Sequence, residues 1–341
     1  MKKRRKVMTG DQFTQQQIKK RRRLSGLPYY GGKFRMSSRI VNELPPHTVY
    51  CEPFVGGASV LFKKGLPPIT NTDHYREVIN DKDDRLMNLY RQLRDNPRLC
   101  ELLKLTPHSR SDYNRAREIY EKEREGLQAA WSTYLTICMS FSGIVGAGFG
   151  FGVVTRNMGA TWVSRIRQIE SFIERLQGVT IEQGEWFDVI KRWDSPQTVF
   201  YCDPPYPETS QCYNSREFNL ADYQDLCDCL DSIKGSFVLS AYAQGIEPDY
   251  WKKLTFDAYC SVSGKGKTRD TRNVHKKQTQ DKLGNRQRKE SLFVVDRSIE
   301  AREDLYKILW TPSRGFVYRE QSIERVRAIQ KTEMLDRIFG D

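Results

Sequence analysis

Residues 198–206 read TVFYCDPPY, an apolar run that stops at a lone carboxylate and two consecutive prolines. Proline lacks an N–H and its φ is fixed, so Pro204-Pro205 ends a strand and stiffens the chain just beyond it. The stretch predicts a central strand over Thr198–Cys202 with Asp203 at its carboxyl end, the edge at which open α/β sheets bind ligands. An Asp-Pro alone would start an ordinary turn. The full Asp-Pro-Pro-Tyr downstream of two further signals points to a site.

The first signal is Thr48–Cys51, read as a buried strand, followed by EPFVGGAS as a tight loop and a helix opening at Val60. Strand, glycine loop and helix is the arrangement that cradles a nucleotide in an α/β sheet. The second is EVINDKDD, a short strand ending in acids at Asp81, some 25 residues beyond the glycines. Gly31-Gly32 breaks the chain ahead of these, and Lys33–Leu44 has helical spacing until Pro45-Pro46.

From 85 to 177 the leucines keep a period near 3.6 and the chain reads as mostly helical, broken by the glycine-rich segment 140–162 as a loop. The block interrupts the α/β alternation and reads as an inserted subdomain. Alternation resumes with strands at Val179–Glu182, Thr198–Cys202 and Ser236–Ser240, helices near Phe187–Arg192 and Leu220–Ile233, and edge strands at Thr255–Val262 and Ser291–Val295. Ser322–Phe339 has the pattern of an amphipathic helix. The expected organisation is a basic flexible tail (1–26), a catalytic domain in two pieces (27–84 and 178–297), the helical insertion (85–177) and a C-terminal helical extension (298–341).

Charge is unevenly placed. The net +13 resides in residues 1–26, with ten Lys/Arg against one acid, and in 264–289, with ten against two, so the rest is slightly acidic. Two basic runs flanking such a body favour a polyanion partner, whose phosphates they would neutralise. The hydrophobic fraction of 38% fits a folded chain, and no apolar run approaches the roughly 20 residues of a membrane span. The charged N-terminus has no following apolar segment of a secretion signal. These features predict a soluble intracellular protein that does not use a membrane. The eight cysteines form no Cys-x-x-Cys pair and lack zinc spacing, so reduced thiols and no metal are expected.

Asp-Pro-Pro-Tyr fits one chemistry closely. An exocyclic amine of a nucleobase is a poor nucleophile because its lone pair is delocalised into the ring. If the Asp203 carboxylate and the carbonyl of Pro204, held by Pro205, each accept one N–H, the nitrogen can pyramidalise and aim its lone pair at an electrophile. Tyr206 offers a flat face on which the base can stack.

PYYGGK, EPFVGGAS, VIND and DPPY in that order, with RKESLFVV near the end, resemble the Dam-like DNA adenine-N6 methyltransferases, especially the phage and restriction-associated branch. The resemblance covers about Leu27–Val295. It implies a Rossmann-like α/β sheet that binds S-adenosyl-L-methionine, with the mostly helical insertion recognising DNA. It implies catalysis by Asp203, Pro204, Pro205 and Tyr206 on a flipped adenine, and cofactor contacts from Tyr29, Lys33, Phe54, Gly56, Asp81 and Asp203. In that scheme Lys33 pairs with the methionine carboxylate and Asp81 takes the ribose hydroxyls. Arg156 and Asn157, with Lys265, Lys267, Arg269 and Arg272, are the expected DNA contacts.

Double-stranded DNA is the partner implied, by a monomer or weak dimer, alongside a cognate restriction nuclease if the chain serves restriction. The expected place is the cytoplasm near the nucleoid, or the nucleus in a eukaryotic host. RNA adenine-N6 transfer, DNA cytosine-N4 transfer and a catalytically inactive DNA-binding relative stay open as alternatives. Two departures from the pattern stand out. The loop reads Gly56-Gly57-Ala58 where many members have a third glycine, and Pro28-Tyr29-Tyr30 replaces the Lys-Trp-Ala of well-studied GATC methylases, so GATC specificity is not implied.

Overall fold

The computed structural model describes residues 26–65, 75–143, 145, 148–152, 157–207, 218–260 and 286–297. Among these, a seven-stranded sheet has the order β3-β2-β1-β4-β5-β7-β6. Its strands are β1 (Val49–Glu52), β2 (Arg76–Ile79), β3 (Val179–Ile181), β4 (Thr198–Cys202), β5 (Ser236–Ala241), β6 (Lys252–Cys260) and β7 (Arg286–Val295). Strands β1 to β5 pair in parallel, whereas β7 runs antiparallel to both β5 and β6. The chain leaves β1 toward β2 and leaves β4 toward β5. The crevice between the carboxyl ends of β1 and β4 is therefore the topological switch point, where such sheets take their ligands.

Burial of both faces explains why the central strands are nearly all apolar. Along β4, Val199 and Tyr201 join the core under the helical block, while Phe200 and Cys202 join the core on the opposite face. Tyr50 and Cys51 of β1 divide in the same way, as the two-residue period of a strand requires.

One face carries α1 (Ser37–Glu43), α2 (Ser59–Lys64) and five helices from the block between β2 and β3: α3 (Asp84–Asp95), α4 (Pro97–Leu105), α5 (Arg110–Lys122), α6 (Gly126–Met139) and α7 (Met158–Leu176). Helix α6 is buried at every residue from Ala129 to Met139, as a helix apolar all round should be. The block's apolar side chains, from Leu86 to Leu176, join Tyr50, Ile79 and Val199 of the sheet in one continuous core. The other face carries α8 (Trp186–Trp193) and α9 (Leu220–Ser232). Helix starts follow their capping residues: Asp83 caps α3, Asn96 caps α4 ahead of Pro97, and Asn219 with Asp222 forms a capping box on α9.

Three boundaries differ from the sequence expectation. The helix expected over 33–44 begins only at Ser37, because the Lys33 carbonyl accepts from both Met36 and Ser37 and holds residues 33–36 in turns. The two edge strands are longer than expected, since ten-residue β7 and nine-residue β6 pair as a hairpin past the end of β5. The amphipathic stretch 322–339, most of the tail 1–26 and most of the basic run 264–289 lie outside the described residues.

Candidate active site

The loop after β1 is fixed from four directions. Asp81, just past β2, accepts the Gly56 amide on Oδ2 at 3.0 Å and the Asp83 amide on Oδ1 at 3.1 Å. The Tyr90 hydroxyl donates to the Gly56 carbonyl at 2.7 Å. Asn80 donates to the Pro53 carbonyl at 2.9 Å and to that of Gly184 at 3.1 Å. On the fourth side, residues 26–29 lie along the loop, with the Leu27 amide on the Gly57 carbonyl at 2.8 Å. A Cβ at Gly26 would stand 1.8 Å from that carbonyl, so this approach requires glycine.

Gly56 itself has φ +45°, and a Cβ there would meet the Tyr29 ring at 3.4 Å. Ala58, where the resemblance leads one to expect glycine, has φ +55° and is the only non-glycine with positive φ among the described residues. A left-handed conformation costs an L-residue about 1–2 kcal/mol. The departure singled out in the sequence therefore falls on a strained position, held by the Ala58 amide on the Val55 carbonyl and by burial of its methyl group. Phe54 packs with its ring centroid 6.1 Å from both Trp186 and Phe218.

Beyond β4, Lys33, Asp203 and Tyr206 come together with a residue the sequence reading had not singled out, Glu290 of β7. The Lys33 ammonium lies 2.7 Å from Asp203 Oδ1 and 3.4 Å from Glu290 Oε1, and donates to the Gly31 carbonyl at 3.0 Å. The Tyr206 hydroxyl is 2.8 Å from Glu290 Oε1 and 3.2 Å from Asp203 Oδ1. Lys33 also stands over the Tyr206 ring, 5.0 Å from its centroid, and Tyr242 packs on the same ring at 4.5 Å. Pro204 is buried beneath the site and Pro205 is half-buried.

Burial raises the Asp203 carboxyl to about 6, with Lys33 opposing that rise and Glu290 adding to it. Asp81 is likewise raised to about 6 by burial, offset in part by the amides it accepts. Glu52, at the end of β1, is raised to about 8 by burial despite a 2.6 Å bond from the Tyr50 hydroxyl. Burial thus holds both aspartates at the sheet's carboxyl edge well above the ordinary carboxylate range.

The expected site residues thus fall into two groups: Tyr29, Gly56 and Asp81 around the loop, and Lys33, Asp203 and Tyr206 around the double proline. Glu290 had one sequence signal, an acid immediately ahead of the predicted apolar strand Ser291–Val295, where a charge is costly to bury without a partner. Of the expected DNA contacts, Asn157 caps α7, its Oδ1 accepting the Ala160 amide at 2.9 Å. Arg156, Lys265, Lys267, Arg269 and Arg272 lie outside the described residues.

Residues 29–261 match the family model of D12 class N6 adenine-specific DNA methyltransferases. Among curated relatives, the type II methyltransferase M1.LlaDCHI of Lactococcus lactis subsp. cremoris is 30% identical, over 61% of this chain and 77% of its own length. A DNA adenine methylase of Vibrio cholerae serotype O1 is 23% identical, over 69% of this chain and 86% of its own. Among solved structures, the rRNA methyltransferase aviRa from Streptomyces viridochromogenes aligns with a TM-score of 0.31 at 12% identity, over 78% of this chain and 85% of that one, a likeness too low to carry an argument.

Proposed function

The chain belongs to the D12 class of N6 adenine-specific DNA methyltransferases, and on that premise we propose how its residues divide the work. Asp203 and the Pro204 carbonyl accept the two protons of the target N6 amine, and Tyr206 stacks on the flipped base. The observation that carries this reading is Asp203 itself: 17% exposed, at the end of a central strand, and flanked by a second carboxylate that leaves it under-neutralised.

The loop region fits S-adenosyl-L-methionine by the chemistry of its donors and acceptors. Asp81 has acceptor capacity for a ribose diol, Gly56 lacks the side chain that would crowd its approach, and Tyr29 and Phe54 present rings beside it. Lys33 supplies a cation for the methionine carboxylate. When bound, the cofactor would supply an electrophilic methyl group on a sulfonium, and Asp203 with the Pro204 carbonyl would aim the amine nitrogen at that carbon. The chain needs no strong base, because an alkylated amine is acidic enough to lose its extra proton. Asp203 orients the nitrogen and keeps negative charge beside it while that proton departs.

The basic runs 1–26 and 264–289 bind phosphates, which position a protein without carrying sequence information. Base reading belongs to the helical block, with Arg156 and Asn157, natural partners of guanine and adenine edges; because the Asn157 Oδ1 caps α7, its Nδ2 is the group that would donate to a base. An exposed Phe151 beside Arg110, whose guanidinium lies 5.2 Å from that ring and 4.9 Å from Phe149, supports a nucleic-acid-facing role for this block.

The test is modification-sensitive sequencing of DNA from cells expressing the chain in a background without adenine methylation. N6-methyladenine at one short motif is expected; N4-methylcytosine or unmodified DNA overturns the reading. Deleting residues 1–26 should weaken DNA binding and flatten its salt dependence with the motif unchanged. Replacing Arg156 and Asn157 should alter or relax the motif. A truncation that changes the motif while the double variant keeps it would reverse the assignment.

A further inference from the structure

Glu290 enters the site from an unexpected side. Strand β7 pairs Ser291 with Ala241, the last residue of β5, so Glu290 lies one step past the carboxyl end of β5, at the same edge as Asp203. Its side chain is 7% exposed, and its contacts are the two groups that also touch Asp203: the Tyr206 hydroxyl and the Lys33 ammonium.

A phenol has one proton to donate. The Tyr206 oxygen is 2.8 Å from Glu290 Oε1 and 3.2 Å from Asp203 Oδ1, so the proton goes to Glu290. Both contacts on Asp203, from Lys33 and from Tyr206, fall on Oδ1. A carboxylate has about four lone-pair sites. With the phenolic proton held elsewhere, Asp203 retains capacity for an incoming N–H. Among the described residues, two carboxylates also share the one Lys33 ammonium.

We propose that Glu290 is a positioning residue for methyl transfer: it accepts the hydrogen bond of the Tyr206 hydroxyl and shares Lys33, so that Asp203 keeps the acceptor capacity that the target amine requires. The inference rests on the reading of Asp203 as the amine's acceptor. It also accounts for a buried acid placed just ahead of the core residues Leu292, Phe293 and Val294 of β7. Glu290 does not touch the reacting atoms; it acts through Tyr206, Lys33 and the field at Asp203. Among the described residues, the charged or titratable groups facing Asp203 are Lys33, Glu290, Tyr206, Tyr201, Glu52 and Cys202.

The discriminating variant is Glu290→Gln in the full chain, which keeps the volume and a carbonyl acceptor but removes the charge. A residue kept for stability would lower the thermal midpoint when neutralised. A positioning residue whose charge is poorly balanced should leave the midpoint at pH 8 unchanged or raise it, while kcat for methyl transfer to unmodified genomic DNA falls roughly tenfold or more. The acidic limb of kcat/KM should move to lower pH, since a negative neighbour of Asp203 is lost. Tyr206→Phe should also slow transfer, and the double variant should be less impaired than the product of the singles, because the two share one hydrogen bond.

Wild-type kcat with an unmoved acidic limb in Glu290→Gln overturns the proposal. So does a lowered midpoint with kcat per folded molecule intact. If Glu290→Gln does not fold, Glu290 is structural and the proposal fails. A wild-type chain that transfers no methyl group defeats the reading of Asp203 instead, and the midpoint of Glu290→Gln at pH 8 then decides alone, a fall being contrary to the proposal.

Discussion

Two buried ion clusters flank the β1–β2–β4 core, and they are built in opposite ways. In the first, Glu77 of β2 is saturated with donors. Arg175 Nη1 lies 2.5 Å from Oε2 and Nη2 2.8 Å from Oε1, while Lys64 and the Tyr75 hydroxyl each approach Oε1 at 3.3 Å. Arg175 Nη2 also donates to the Leu61 carbonyl at 3.1 Å, stitching α7 to α2. Burial alone would raise the Glu77 carboxyl, but Arg175 and Lys64 overcome that and hold it below its ordinary value. In the second cluster one ammonium serves two carboxylates, and Asp203 is raised to about 6 by burial, with Glu290 reinforcing the rise. Two cations around one acid make a structural clamp. Two acids sharing one ammonium at the sheet's ligand edge make the arrangement on which the proposed amine site rests.

The largest effect expected is on the clamp. Arg175→Ala removes both bonds of 2.8 Å or less to Glu77 and leaves it with Lys64 and the Tyr75 hydroxyl at 3.3 Å; breaking a buried pair on one side costs about 3–5 kcal/mol, and the remaining donors place the loss toward the lower end. Urea denaturation should show that loss, with kcat of the folded fraction retained. Stability near that of the wild type would mean that the saturated cluster is no clamp, and the contrast would collapse.

Next comes Asp203→Asn, which should slow methyl transfer by on the order of 10²–10³ while the fold survives. The sign of its stability effect sharpens the comparison. A carboxyl raised in the folded state contributes stability that is complete below its unfolded pKa, near 4, and is lost as pH rises through about 6. Removing it should leave the midpoint at pH 8 unchanged or higher, whereas Arg175→Ala lowers it. For the same reason wild-type kcat/KM should climb with pH and level off above about 6. A pH-independent rate between 5 and 8 would contradict the ionised Asp203.

The smallest expected effect lies at Asp81, a third carboxyl raised to about 6 by burial but already bonded to two amides. Asp81→Ala should cost about 1.5–3 kcal/mol in S-adenosyl-L-methionine binding, tenfold or more in Kd. Calorimetry with an unchanged Kd would remove it from the cofactor site and leave it as a loop anchor only.

Strand β4 was legible to the residue, since TVFYC followed by Asp-Pro-Pro carries its own start, period and stop within nine residues. Strands β1, β2, β3 and β5 were legible to within one or two residues by the same local logic. The start of α1 was not, because Lys33–Met36 have helical spacing but their backbone bends to deliver the Lys33 side chain to Asp203. Ala58 was legible as a misfit, since the chemistry of an L-residue at positive φ is the same wherever it occurs.

What the sequence determined by itself is what depends on near neighbours: strands that end in acids, a loop that needs glycines, a double proline that fixes a carbonyl, and charge gathered into two runs. What only the tertiary structure decided is which of these meet. Lys33, Asp203 and Glu290 are separated by 170 and 87 residues, and their convergence depends on β4 pairing beside β1 and on β7 inserting antiparallel between β5 and β6. Antiparallel insertion reverses the direction of β7, which brings its amino-terminal half to the carboxyl edge of the parallel strands. An acid at the head of SLFVV therefore lands beside the Asp-Pro-Pro-Tyr turn, a placement set by strand pairing across the sheet and carried by no local pattern.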